Sequence, residues 1–119
     1  MQDSVPAFLS FANADLTLRA QRQSLVAANI ANADTPGYLA KDIQFGKALA
    51  QAIKTGNVSA TNPGYLKDFP VGLDGNDVSL TAEKLESMHN NGAMRSEVTY
   101  LHQATTDLIT ALRPNPNGI

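Results

Sequence analysis

The stretch Leu16–Phe45, LTLRAQRQSLVAANIANADTPGYLAKDIQF, constrains this chain more than any other part of it. Helical spacing runs to Ala31 from about Pro6, a residue suited to a first helical turn because its missing N–H is not needed there. Phe11, Leu18 and Leu25 recur every seven residues, with Ala7, Ala14 and Ala28 at companion positions. Leu9, Leu16 and Ile30 keep the same interval but lie about 140° away around the helix, at about 100° per residue. A helix lying on one surface needs a single apolar stripe, whereas a helix with two has neighbours on two sides. Two readings stand level: a central helix in an ordinary bundle, or a helix whose second set of neighbours comes from other chains.

Asn29, Asn32 and Asp34 are expected to end this helix, because short amide and carboxylate side chains bond locally to backbone and favour caps and turns. Thr35-Pro36-Gly37-Tyr38 then puts Pro and Gly at the central positions of a type II turn. Leu39–Phe45 reads as extended, and Gly46–Lys54 as a short helix closed at Thr55-Gly56-Asn57. Residues 55–79, rich in Gly, Pro, Asn, Asp and Ser, read as an irregular loop with room for a small hairpin. Within it Pro63-Gly64-Tyr65-Leu66 echoes Pro36-Gly37-Tyr38-Leu39 as a second similar turn, not as a structural repeat. A second long helix runs from about Leu80 to Arg113, with Ser79 or Thr81 as N-cap and Glu83 placed to favour the first turn. Its apolar positions are Leu85, Met88, Met94, Val98, Leu101, Ala104, Leu108 and Leu112, with Asn90-Asn91-Gly92 interrupting the phase. Pro114 closes it and NPNGI is a tail. The fold class is therefore mainly α: an N-terminal helix in 1–34, a turn and irregular region in 35–79, and a C-terminal helix and tail in 80–119, together one structural unit.

Composition excludes several function classes. At 119 residues the chain has room for one domain. Apolar residues make up 43%, much of it alanine, and aromatics only 6% with no Trp, which suits close-packed helices better than a thick globular core. A net charge of −2 with scattered basic residues gives no reason to expect nucleic acid or an anionic membrane. There is no cysteine for a disulfide or thiolate site. His89 and His102 lack metal-ligand spacing and read as surface or interface residues. Asp74-Gly75-Asn76-Asp77 lacks the Gly and Glu of a calcium loop, so it reads as an Asx-rich turn. Asn57-Val58-Ser59 matches a glycosylation sequon no better than chance triplets do. No window approaches the roughly 18–20 apolar residues of a membrane span, and the N-terminus lacks the basic region of a cleavable signal. The expectation is a soluble chain without catalytic residues, metal or cofactor, and not an enzyme.

Ala28-Asn29-Ile30-Ala31-Asn32-Ala33-Asp34-Thr35-Pro36-Gly37-Tyr38 resembles the N-terminal signature of the flagellar rod, hook and hook–filament junction proteins. The lead-in Leu18-Arg19-x-x-Arg22, the exit Lys41-Asp42-x-x-Phe45 and the later Leu73-Asp74-Gly75-Asn76-x-Val78 are similar to the flagellar basal-body rod protein family, at its proximal end. The resemblance implies an antiparallel helical hairpin of the two long helices with the irregular region between them. It implies subunits stacked helically around an export channel through interfaces that do not close, transmitting motor torque in a rod that spans the periplasm. Export would proceed through the flagellar type III apparatus without signal cleavage. The implied partners are copies of itself, other proximal rod proteins (FlgC, FlgF), the FliE adaptor and the export gate, with no nucleic acid, small-molecule substrate or membrane insertion.

On this reading the family turn residues are Asn29, Asn32, Thr35, Pro36, Gly37 and Tyr38. Phe11, Leu18 and Leu25 are expected to pack within the hairpin against Met94, Leu101 and Leu108. Leu9, Leu16 and Ile30 are expected to face neighbouring subunits, with Arg19 and Arg22 as ion-pair partners there or as solvated surface. The alternatives are another flagellar axial protein, or a soluble helical adaptor or chaperone for export substrates.

Overall fold

The computed structural model describes residues 7–56, 64–65, 72 and 74–114. In chain order these form helix α1 (Ala7–Ala31), strand β1 (Lys41–Asp42), helix α2 (Phe45–Thr55), strand β2 (Gly64–Tyr65) and helix α3 (Leu80–Leu112). Pro6, the Asn57–Ser59 triplet, most of the Pro63–Leu66 echo, Leu73 and the tail beyond Pro114 lie outside the described residues.

The ends of the elements follow from their residues. Just past the last turn of α1, Asn32 bonds its side-chain Nδ2 to the Ala28 carbonyl, while Thr35 Oγ1 donates to Asn32 Oδ1. The backbone N–H of Tyr38 then returns to the Thr35 carbonyl at 3.2 Å, and Gly37 takes φ +75°, which together make the type II turn. Gly56 closes α2 in the left-handed conformation. Ser79 caps α3, its hydroxyl accepting from the N–H of Ala82.

The two long helices form an antiparallel hairpin whose register can be read from side-chain bonds. Asn29 meets Glu83, Gln23 meets Ser87, and Arg19 meets Asn90. After the turn the chain runs back along α1, since Lys41 is bonded to Asn29, Asp42 to Arg22, and Phe45 lies under the Arg19 guanidinium. Thus α1 packs on α3 and also on α2 and β1. Its second set of neighbours includes elements of its own chain, so two-sidedness alone did not require other subunits. The extended pairing of the central region joins β1 to β2, Lys41 opposite Tyr65 and Asp42 opposite Gly64.

Among the described residues the buried apolar set is Ala12, Ala14, Leu18, Val26, Ala40, Ile43 and Ala52, four of them alanine. Six polar residues are buried beside them: Asp15, Asn29, Asn76, Asp77, Glu83 and Asn90. With polar groups almost as numerous as apolar ones, the interior depends on satisfied hydrogen bonds as much as on apolar mass.

The seam of α3 is one continuous line. At about 100° per residue, Glu83, Asn90, Met94, Leu101, Leu108 and Leu112 fall within an arc of roughly 40°. Asn90 is fully buried and the helix passes through Gly92 unbroken. The residues Asn90-Asn91-Gly92 therefore break the apolar run and not the helical phase: Asn90 is itself a seam residue, polar because it faces Arg19 and Gln23.

The register also limits which residues can meet. The N-terminal end of α1 (Ala7, Phe8, Phe11) shares a shallow cavity with Glu97 and Tyr100, so the described residues of α1 end near this level of α3. His102–Leu112 project beyond it, roughly 16 Å of helix at about 1.5 Å per residue. Leu108 therefore has no counterpart among Phe11, Leu18 and Leu25, and it is 47% exposed although it lies on the seam. Leu18 is buried to 1% exposure, Leu25, Met94 and Leu101 are half-buried, and Phe11 is 43% exposed at the end of the hairpin.

Truncation of Leu18 to Ala should cost about 2–4 kcal/mol in urea unfolding of the dilute chain, because it leaves a void in close-packed surroundings. The same change at Leu108 should fall within about 0.5 kcal/mol, as for an exposed site.

Candidate functional site

The family turn residues sit at the closed end of the hairpin, in a polar clasp built from four stretches of chain. Asn29 is its hub. The Asn29 amide nitrogen donates to the Lys41 carbonyl at 2.8 Å and to Glu83 Oε1 at 3.0 Å. Its oxygen accepts from the Lys41 N–H at 3.0 Å and from the Tyr38 hydroxyl at 3.1 Å. All of its principal hydrogen-bonding capacity is used inside the protein. Sequence reasoning gave Asn29 the task of stopping α1. In the structure it is a helical residue with 1% exposure, and it joins α1 to the turn, β1 and α3.

A second tie comes from the segment before α3. Asn76 Nδ2 donates to the carbonyls of Asn32 and Thr35, at 2.8 and 2.7 Å. The Gly37 N–H donates to the Asp74 carbonyl, and the Asp77 N–H to the Tyr38 carbonyl. Asp77 in turn accepts the Ala40 N–H at 2.6 Å. Asp74 and Asn76 each accept a backbone N–H two residues ahead, so the segment is an Asx turn. Gly75, at φ +84°, lies so close to Gly37 that a Cβ on it would stand 3.3 Å from the Gly37 Cα. The missing Cβ of Gly75 thus permits two loops to pass with backbones almost touching.

Ionic contacts extend the clasp along α1. Arg22 forks onto Asp42 through Nε at 3.0 Å and a terminal nitrogen at 2.7 Å, a bidentate arrangement. Its Nε also lies 3.1 Å from Glu86 Oε1, a charge contact without hydrogen-bond alignment. Burial by itself would lower the Arg22 pKa, but the bonded Asp42 and the charges of Glu86 and Glu83 raise it. Arg19 pairs with Asp15 at 3.1 Å and stacks over the Phe45 ring, 4.5 Å from its centroid. Asn90 donates to the Arg19 carbonyl and to Gln23.

Both arginines named in the sequence as subunit-interface ion-pair partners are therefore engaged within the chain. The physical reason is proximity: β1 returns alongside α1 and supplies Asp42, while α1 itself supplies Asp15 one turn away. Leu9, Leu16 and Ile30 are half-buried on α1, and Thr35, Pro36 and Gly37 are exposed at the tip of the turn. Glu83, Asn90, Asp77 and Val26 were not singled out as site residues. The available signal for Glu83 and Asn90 was their spacing of seven on the seam of α3, a place where a polar residue needs a partner.

The clasp contains no constellation of nucleophile and base, and among the described residues no group of three or more metal-ligating side chains converges. What it can do chemically is fix geometry, holding the two helix ends and the returning strand by bonds shielded from water.

Replacing Asn29 by Ala should cost about 2–4 kcal/mol, since it strands the Lys41 backbone and the buried Glu83. Asn32→Ala, at a half-buried site bonded only locally, should cost about 1 kcal/mol. Gly37→Ala should cost roughly 1–2 kcal/mol through its left-handed backbone alone, because nothing stands within 4 Å of the new methyl. Denaturant titrations of the three variants check this ranking.

Comparison with known proteins bears on the same stretch. The flagella basal body rod protein family matches residues 16–38, which take in most of α1 and the turn. A flagellar basal body rod protein FlgB from Salmonella typhimurium (strain LT2) is 33% identical, over 95% of this chain and 98% of its own length. A FlgB from Cereibacter sphaeroides is 35% identical over 82% of this chain and 88% of that protein. A FlgB from Escherichia coli K12 is 54% identical over a shorter match covering 47% of this chain and 41% of that one. The match to the Salmonella protein spans both arms of the hairpin and the clasp between them, and the chain belongs to the flagellar basal body rod protein family.

Proposed function

We propose that this chain is a structural subunit of the proximal rod of the bacterial flagellar basal body. It packs helically with copies of itself and with other proximal rod proteins around the export channel, and it transmits motor torque by being stiff. It performs no catalysis and carries no cofactor. It reaches the rod through the flagellar type III apparatus without signal cleavage, and works where the rod crosses the periplasm. FlgC, FlgF, the FliE adaptor and the export gate are its neighbours on this reading. No described helix is long and apolar enough to cross a membrane, which fits a subunit that sits in a shaft.

What carries this reading is the unequal length of the two hairpin arms. The α3 seam that buries Glu83 and Asn90 against α1 continues through the half-buried Leu101 to Leu108 and Leu112. There α1 has ended and the residues are 47% and 74% exposed. Val98, Tyr100 and Ile109 are also more than half exposed on the same arm. An apolar seam that outruns its partner is a surface that another chain can complete, and in a heterologous stack each subunit completes the next. The clasp at the other end makes each subunit a rigid lever: torque reaching one arm passes to the other without opening the elbow.

Deletion of the gene should abolish swimming and leave basal bodies without rods, and the intact chain should be found in purified rods. Leu108→Asp with Leu112→Asp should abolish motility while leaving the unfolding free energy of the dilute chain within about 0.5 kcal/mol of the unmodified chain. Normal motility in that double variant would remove the overhang from the assembly. A chain found only in the cytoplasm, bound to export substrates, would favour the adaptor reading.

A further inference from the structure

The clasp contains an imbalance of charge that rod packing does not explain. Glu83 of α3 is buried to 4% exposure, with Asn29 Nδ2 at 3.0 Å as its hydrogen-bond donor. Three charged groups act on it: Arg22 from α1, Asp42 from β1, and Glu86 from its own helix. Arg22 is the one cation among these three, and its fork is already occupied by Asp42, with Glu86 in charge contact behind. One guanidinium therefore faces three carboxylates, two of which hold it directly. The third, Glu83, keeps a buried negative charge compensated mainly by an amide.

We propose that Glu83 is a proton-operated latch that grips α1 to α3 more tightly when it is neutral than when it is charged. Taking up a proton removes one of the three like charges around Arg22 and leaves the carbonyl oxygen of the acid to accept the Asn29 bond. Losing it restores a desolvated anion at the hub of the clasp. Burial, followed by the charges of Asp42 and Glu86, holds the Glu83 carboxyl above the usual range for a glutamate, against the opposing pull of Asn29 and Arg22.

The sign of the effect follows. A carboxyl whose pKa is higher in the folded than in the unfolded chain binds protons better when folded, so stability from this group rises as pH falls through its folded value. The gain is complete once the pH lies below about 4.3, the ordinary value for glutamate in an unfolded chain. Other carboxylates contribute their own pH dependence, so the latch is read as a difference between two proteins. The hub also connects to the backbone of β1, because the Lys41 N–H donates to Asn29. Loosening at Glu83 therefore reaches the elbow of the hairpin.

The test compares the full chain with Glu83→Gln, which keeps the shape and the acceptor oxygen and fixes the group neutral. Urea unfolding of both between pH 8 and pH 4 should find the variant more stable at pH 8, with a severalfold higher folded-to-unfolded ratio. That advantage should shrink as the pH falls through the folded value of Glu83, with no further change below about 4.3. A gap that stays constant with pH, or a variant less stable than the unmodified chain at pH 8, overturns the proposal. The second measurement needs no variant: the 13C shift of the Glu83 side-chain carboxyl, followed through a pH titration of the folded chain. A midpoint above the ordinary glutamate value supports the latch, and a midpoint at or below it overturns it, whether or not the variant folds.

Discussion

The fold depends on one buried asparagine. Asn29 bonds β1 through both polar groups of the Lys41 backbone, the turn through the Tyr38 hydroxyl and α3 through Glu83. Among the described residues, an interior with four alanines in its seven buried apolar positions has little apolar area with which to fix the angle between two long helices. Hydrogen bonds in a dry site do what such a core does poorly: they are directional, and they forbid the alternatives that would leave a donor or acceptor without a partner. The clasp of Asn76, Asp77 and the paired glycines then fixes the loop before α3 against the turn after α1, so both arms leave one rigid elbow.

Rigidity at one end is matched by incompleteness at the other. The α3 seam keeps its phase to Leu112, but α1 supplies no partner beyond the level of Tyr100. Among the described residues nothing covers the last turns of α3, and short helical stretches are marginal in water without tertiary packing. A subunit with a fixed elbow and an unfinished arm suits a shaft assembled one molecule at a time. On the proposed function, each arrival would meet a surface already in the correct geometry and lend its own overhang to the next.

Much of this was legible in the sequence because local rules decide it. Pro36 and Gly37 dictated the turn, Ser79 the cap of α3, Gly56 the end of α2, and the seven-residue spacings the two long helices. The clasp was only half legible. Asn29 and Asn32 were marked as important by their motif, but their chemistry was read locally, since sequence spacing shows what lies one turn away and not what lies across a hairpin. Glu83 sits 54 residues from Asn29 and Arg19 sits 71 from Asn90. Those pairings emerge only when the register is known. For the same reason Leu108 was matched to a helix whose described residues end before reaching it, and the pairing of Arg22 with Asp42 inside the chain was not foreseen.

Site-resolved amide exchange, on the free chain and on the chain built into isolated rods, tests the rigid elbow and unfinished arm together. The amides of Ala40, Lys41 and Asp77 should be strongly protected in both states, whereas those from Thr105 to Leu112 should exchange freely in the dilute chain and become protected in the rod. Protection of that last stretch in the free chain, or its continued rapid exchange in the assembled rod, would contradict the account.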